Sequence, residues 1–154
     1  MYIIPEPQQM NILEGEYTIR FDHKIVIDSS CGTAAYDYAK LLQEELCGCM
    51  GYGPEITRGN SGKAAVTLMM DDELGEEAYR LEAGADGIRI VGGADRGLLY
   101  GVQTLRQIVR QTGACVPCMQ IHDYPDIRNR GFYHDVTRGR IPTLSYLKGL
   151  ADNL

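Results

Sequence analysis

Between Ala78 and Val109 the hydrophobic period of the chain switches from that of a strand to that of a helix, and the switch leaves few folds open. In Tyr79, Leu81 and Ala83, and again in Ile88 and Ile90, apolar side chains alternate with others, as on strands with one buried face. The turn formers Gly84 to Asp86 lie between these runs, so Ala78–Ala83 and Gly87–Val91 read as a β-hairpin. Asp95 then reads as the cap of a helix whose buried face is Leu98, Leu99, Val102, Leu105, Ile108 and Val109, with Gly113 as its stop. Further strands and helices are legible on either side of this unit.

The rest of the chain supplies them. Glu16–Arg20 and Lys24–Asp28 read as two short strands around Phe21-Asp22-His23, paired as a hairpin or a bent pair. From Thr33 onward Ala34, Tyr38, Leu41, Leu42 and Leu46 recur at helical spacing, with Gly48 and Gly51 placed to stop the helix. Glu55-Ile56-Thr57 is a short strand among the turn formers Gly51, Gly53, Pro54, Gly59 and Asn60. Ala64–Met70 is an apolar run of strand length, expected to be buried on both faces. Val116–His122 and Gly131–Val136 complete the strands, and Thr143 caps a last helix bearing Leu144, Leu147, Leu150 and Leu154. The expected class is α+β: a mainly antiparallel sheet with two helices on one face, in residues 1–124. Residues 125–154 do not fit that layer and read as one βα unit of something larger.

Composition removes several function classes. Hydrophobic residues make up 44% of the 154 residues and charged ones 23%, and no apolar run approaches the roughly 20 residues that cross a bilayer. Neither a membrane span nor a secretory signal is predicted, and the expected location is cytoplasmic. A whole (β/α)8 barrel is excluded as well, because it takes about 250 residues. Trp is absent, which disfavours a free-standing sugar-binding module. The net charge of −6 argues against nucleic acid as a partner, but it is uneven: residues 1–75 carry −7 and the remainder +1. Arg128, Arg130, Arg138 and Arg140 crowd into one segment, which leaves a small binding module for an acidic partner as the alternative reading.

No catalytic constellation emerges. The acidic pairs Glu44-Glu45 and Glu76-Glu77 and the run Asp71-Asp72-Glu73 read as solvated surface. Cys115-Val116-Pro117-Cys118 has redox spacing, but a helix ends before it and a strand follows, whereas a reactive thiol needs a helix N-terminus. Cys47, Cys49, Cys115 and Cys118 lack good zinc spacing, and His23, His122 and His134 lack ligand spacing, so no metal is assigned. The five cysteines, an odd count, are expected to be reduced thiols. Gly92 to Gly97 contains neither Gly-Lys-Ser/Thr nor Gly-x-Gly-x-x-Gly, so no phosphate cofactor is assigned either.

Two segments resemble a known family. Glu76–Val109, with Tyr100-Gly101-Val102-Gln103-Thr104-Leu105 as its signature, is similar to the non-catalytic N-terminal domain of glycoside hydrolase family 20, the β-N-acetylhexosaminidases. Ile121–Leu154 resembles the entry to that family's catalytic (β/α)8 barrel. The matching motifs are Asp123 and Pro125, Arg130-Gly131, Asp135-Val136-Thr137-Arg138, and Pro142. His134 and Gly139 depart from the usual pattern, where an apolar residue and a His are common.

The resemblance implies that residues 125–154 are the first strand and helix of a truncated barrel. It implies a full-length glycosidase that removes terminal β-linked N-acetylhexosamine by substrate-assisted hydrolysis, with its Asp-Glu pair on a later strand. This chain alone would then be inactive. Arg130 is the one implied substrate-binding residue, its planar guanidinium holding two neighbouring sugar hydroxyls. The alternative for Arg130 is a structural pair with Asp135 or another nearby carboxylate; Asp135 and Arg138 are expected to fix the strand-to-helix turn. The implied partners are an N-acetylhexosamine-containing glycan and the rest of the barrel, or a second copy paired through the exposed barrel segment.

Overall fold

In the computed structural model, which describes residues 1–59, 64–136, 139 and 141–153, the period switch yields the expected hairpin and helix. The strands are β1 (Gln9–Thr18), β2 (Lys24–Ile27), β3 (Glu55–Arg58), β4 (Ala64–Met70), β5 (Tyr79–Gly84), β6 (Gly87–Gly92) and β7 (Cys115–Asp123). The helices are α1 (Ala34–Met50), α2 (Asp95–Thr112) and α3 (Leu144–Asn153). All seven strands join one sheet in the order β1-β7-β5-β6-β4-β2-β3, and α1 and α2 pack side by side upon it.

The sheet is mixed, not mainly antiparallel. β1 with β7, β7 with β5 and β5 with β6 are antiparallel, whereas β6 with β4, β4 with β2 and β2 with β3 are parallel. A helix is the cause for β2 and β3, since a crossover helix returns the chain to run in the same direction, whereas β4 and β6 are parallel because β5 comes between them in sequence and pairs on the other side of β6. α1 therefore links β2 to a parallel β3, and α2 carries the chain from β6 over β5 to β7. β1 and β2 do not pair, and the expected hairpin or bent pair around Phe21-Asp22-His23 is replaced by a crossing to the far side of the sheet. On the way Ile19 is buried below the helices, its N–H donating to Ala114 O (2.9 Å) and its carbonyl accepting from Tyr52 OH (2.9 Å).

The core lies between the helices and one sheet face. Ile25, Val66, Leu68, Leu81 and Ile90 come from the strands, Leu42 and Leu46 from α1, and Leu98, Val102, Leu105, Ile108 and Val109 from α2. Leu99 is only half-buried, at the margin of that helix face. β4 is fully buried at Ala65, Val66 and Leu68 but not along both faces, since Thr67 and Met69 stay partly exposed. Gly101 allows the close approach: a Cβ there would stand 2.5 Å from Ile90 Cγ2 and 3.1 Å from Tyr79 Cδ2. Gly48 continues α1, and the stop falls to Gly51, whose φ of 78° is the left-handed cap conformation. Asp95 is the first residue of α2, while Ala94 occupies the cap position.

Beyond β7 the packing thins. Residues 131–136 form no strand, because no neighbouring strand offers them hydrogen bonds, and Phe132 and Tyr133 are exposed. α3 forms as expected, with Tyr146 N–H donating to Thr143 Oγ1 (3.3 Å), although Leu144 and Tyr146 face solvent. The expected Asp135–Arg138 pair, Arg140, Asn60 and Leu154 fall outside the described residues.

Candidate functional site

Arg130 lies where the chain leaves β7 and folds back towards the N-terminal half of α2. Its guanidinium meets Glu77 end-on, Nη1 to Oε2 at 3.3 Å and Nη2 to Oε1 at 3.1 Å. Nη2 also donates to Tyr100 OH (3.3 Å), which in turn donates to Glu77 Oε1 (3.2 Å). Arg96 adds a looser contact to the same carboxylate at 3.8 Å. The three groups thus close a ring. The Arg130 side chain keeps 42% of its surface exposed, against 14% for Glu77.

Each member has a local reason for its place. Glu77 precedes β5 by two residues and so shares the side of Tyr79. Its neighbours are anchored: Glu76 O accepts from Gly97 N–H (3.2 Å), and Ala78 N–H donates to Gly75 O (2.8 Å). Tyr100 stands one turn beyond Gly97 on α2. The Arg130 hydrogen bond holds the Glu77 carboxyl below the usual carboxylate range, and Glu77 in turn pushes Arg130 further up, so both are charged at neutral pH. Asp135 was one expected partner for Arg130; the carboxylate found is Glu77.

The ring forms one end of a groove of about 590 Å³, floored by Tyr79, Thr104 and Gln103 and walled by the segments around Ile4 and Tyr124. Tyr79 OH and Thr104 Oγ1 are 2.6 Å apart, and burial pushes the Tyr79 phenol well up, so it stays a neutral hydrogen-bonding group. The N-terminal wall is fixed by two glutamines a helical turn apart. Gln111 bonds both N–H and C=O of Tyr2 (3.0 and 2.6 Å), and Gln107 does the same for Ile4 (2.9 and 2.9 Å). One helical turn thereby spans two residues of extended chain, as an adjacent strand would. The chemistry on offer is hydrogen bonding to a polar ligand through a permanently charged guanidinium and neutral hydroxyls.

A second buried carboxylate was read from the sequence as solvated surface. Glu45 is only 11% exposed and joins the helices, accepting from Arg110 Nε (2.7 Å) and Nη2 (2.6 Å) and from Arg106 Nε (3.1 Å). The hydrogen bonds from Arg110 come first in holding its pKa down. Glu77 corrects the same expectation. Signals for both were present: Glu45 adjoins the buried Leu42 and Leu46 face opposite arginines spaced four apart, and Glu77 continues the Tyr79, Leu81 parity. Cys115 and Cys118 both sit on β7, and all five cysteines are free.

Comparison with known proteins places these features. The beta-hexosaminidase of Vibrio furnissii is 30% identical over 154 residues, covering 99% of this chain and 24% of that protein. The beta-N-acetylhexosaminidase of Cellulomonas fimi is 30% identical over 144 residues, covering 88% and 28%. The chain thus spans about a quarter of the length of the relatives it matches. Among solved structures, the chitobiase of Flavobacterium johnsoniae superposes with a TM-score of 0.80 at 24% identity, covering 97% of this chain and 24% of that one. The beta-N-acetylhexosaminidase of Bacteroides fragilis gives 0.76 at 21% identity, covering 98% and 30%. These two establish the shared fold. The family profile described as "Glycosyl hydrolase family 20, domain 2" matches residues 1–124, and the chain therefore belongs to glycosyl hydrolase family 20.

Proposed function

We propose that the chain is the non-catalytic N-terminal portion of a longer β-N-acetylhexosaminidase. In this reading residues 1–124 form the supporting domain, and residues 125–154 are the first strand and helix of a (β/α)8 barrel. The observation that carries it is the domain 2 match over 1–124, joined to a segment whose apolar side chains, Phe132, Tyr133 and Leu144 among them, lack a covering element. The remaining barrel is the partner that would bury them. The whole enzyme would release terminal β-linked N-acetylhexosamine, its substrate's acetamido oxygen attacking the anomeric carbon while an acidic residue supplied by the rest of the barrel protonates the leaving oxygen. Arg130 would hold a sugar hydroxyl in the completed pocket through its Nε–H, its partly exposed guanidinium already fixed in direction by Glu77, Tyr100 and Ile127 O. Five free thiols fit a reducing compartment, and the cytoplasm is our assignment.

The test compares this chain with a version extended by the remaining barrel, using nitrophenyl N-acetyl-β-glucosaminide. The extended protein is expected to release nitrophenol and the 154-residue chain to release none. Hydrolysis by the short chain, or a folded extended protein that is inert on every β-N-acetylhexosaminide offered, overturns the reading.

A further inference from the structure

We propose that Glu77 and Tyr100 are positioning residues for Arg130, so that domain 2 acts on sugar binding and not on stability alone. The inference rests on the sugar-binding role for Arg130 just given. Three observations carry it. Glu77 takes the Nη1–Nη2 end of the guanidinium, the second hydrogens go to Ile127 O (2.5 Å from Nη1) and Tyr100 OH (3.3 Å from Nη2), and Nε–H is left without an acceptor among the described residues. Tyr100 OH bridges the two ions, donating to one and accepting from the other, which fixes the plane of the guanidinium as well as its distance. Both residues stand on rigid parts: α2 carries Tyr100, and the backbone on either side of Glu77 is tied to Gly97 and Gly75.

Without Glu77 and Tyr100 the guanidinium keeps only its Nη1 contacts to the carbonyls of Ile127 (2.5 Å) and Arg128 (3.5 Å) on its own open segment, and a ligand has to select one rotamer among several. With the clamp in place that selection precedes binding. A sugar hydroxyl held equally in the ground and transition states affects KM and leaves kcat alone. The clamp therefore leaves its mark on KM.

The experiment uses the extended protein and the nitrophenyl substrate. Glu77→Gln is expected to raise KM about tenfold, with kcat within about twofold of wild type, and Tyr100→Phe to raise KM about twofold to threefold. Glu77→Asp should recover part of the loss, because the charge is kept. Should Glu77→Gln fold poorly, Tyr100→Phe decides, since it removes only the bridging hydroxyl. A folded Glu77→Gln or Tyr100→Phe protein with wild-type KM overturns the inference. An effect on kcat alone does so too. If Arg130→Ala raises KM while both clamp variants do not, the clamp fails and the Arg130 reading survives; if Arg130→Ala is also silent, both fail.

Discussion

Residues 9–123 and residues 125–153 are both rich in large apolar side chains, yet only the first region buries them. Leu105, Ile90 and Leu42 are fully enclosed, while Phe132, Ile141, Leu144 and Tyr146 stand in solvent. Both regions have helical periodicity, and α3 has a better side-chain cap than α1 or α2. The difference is a facing layer: α2 lies on four strands, and among the described residues nothing comparable lies across α3. Pattern and capping decide whether a helix forms; a partner decides whether it contributes to stability.

The largest test of this contrast sets Leu105→Ala against Leu144→Ala in thermal melts of the chain. The first should cost about 3 kcal/mol through lost burial and a cavity, and the second less than about 0.5 kcal/mol. Equal effects would mean that α3 is packed after all. A middle case is Gly101→Ala, where helix propensity favours Ala but the new methyl meets Ile90 and Tyr79. A net loss of about 1–2 kcal/mol is expected, and a gain in melting temperature would show that the helix can lift from the sheet.

The smallest effect concerns charge. Glu45→Gln should cost about 1 kcal/mol at neutral pH, less in high salt because Arg110 is largely exposed. The folded-state pKa of Glu45 is depressed, so its contribution is present above the unfolded carboxylate value of about 4.3 and is lost as pH falls through the lower folded value. Melts of wild type and variant should therefore converge in acid. A gap that persists well below pH 3 would trace the loss to packing instead.

What the sequence disclosed follows the range of the forces involved. The β5–β6 hairpin, β4 and α2 were legible because periodicity and turn residues act over a few positions. The pairing of β1 with β7 was not, because Thr18 and Cys115 meet across almost the whole chain and nothing near Thr18 specifies that edge. The parallel half was missed for a related reason: strand direction there is set by the α1 crossover and by the placing of β5 beyond β6, not by the strands' own residues. Arg130 was singled out by its motif, but its companions Glu77 and Tyr100 became visible only once β5 and α2 were laid beside the exit from β7.

The pairing of β1 with β7 has a mechanical consequence. Gln9 faces His122 at one end of that ladder, and Gln8 N–H donates to Asp123 Oδ1 (3.1 Å), so β1 begins and β7 ends at the same corner of the sheet. A tension applied between those two points would load the hydrogen bonds one at a time, like a zipper, instead of shearing them together. Under load, β1 is the first strand to peel, and the parallel half of the sheet carries none of the force until it has gone.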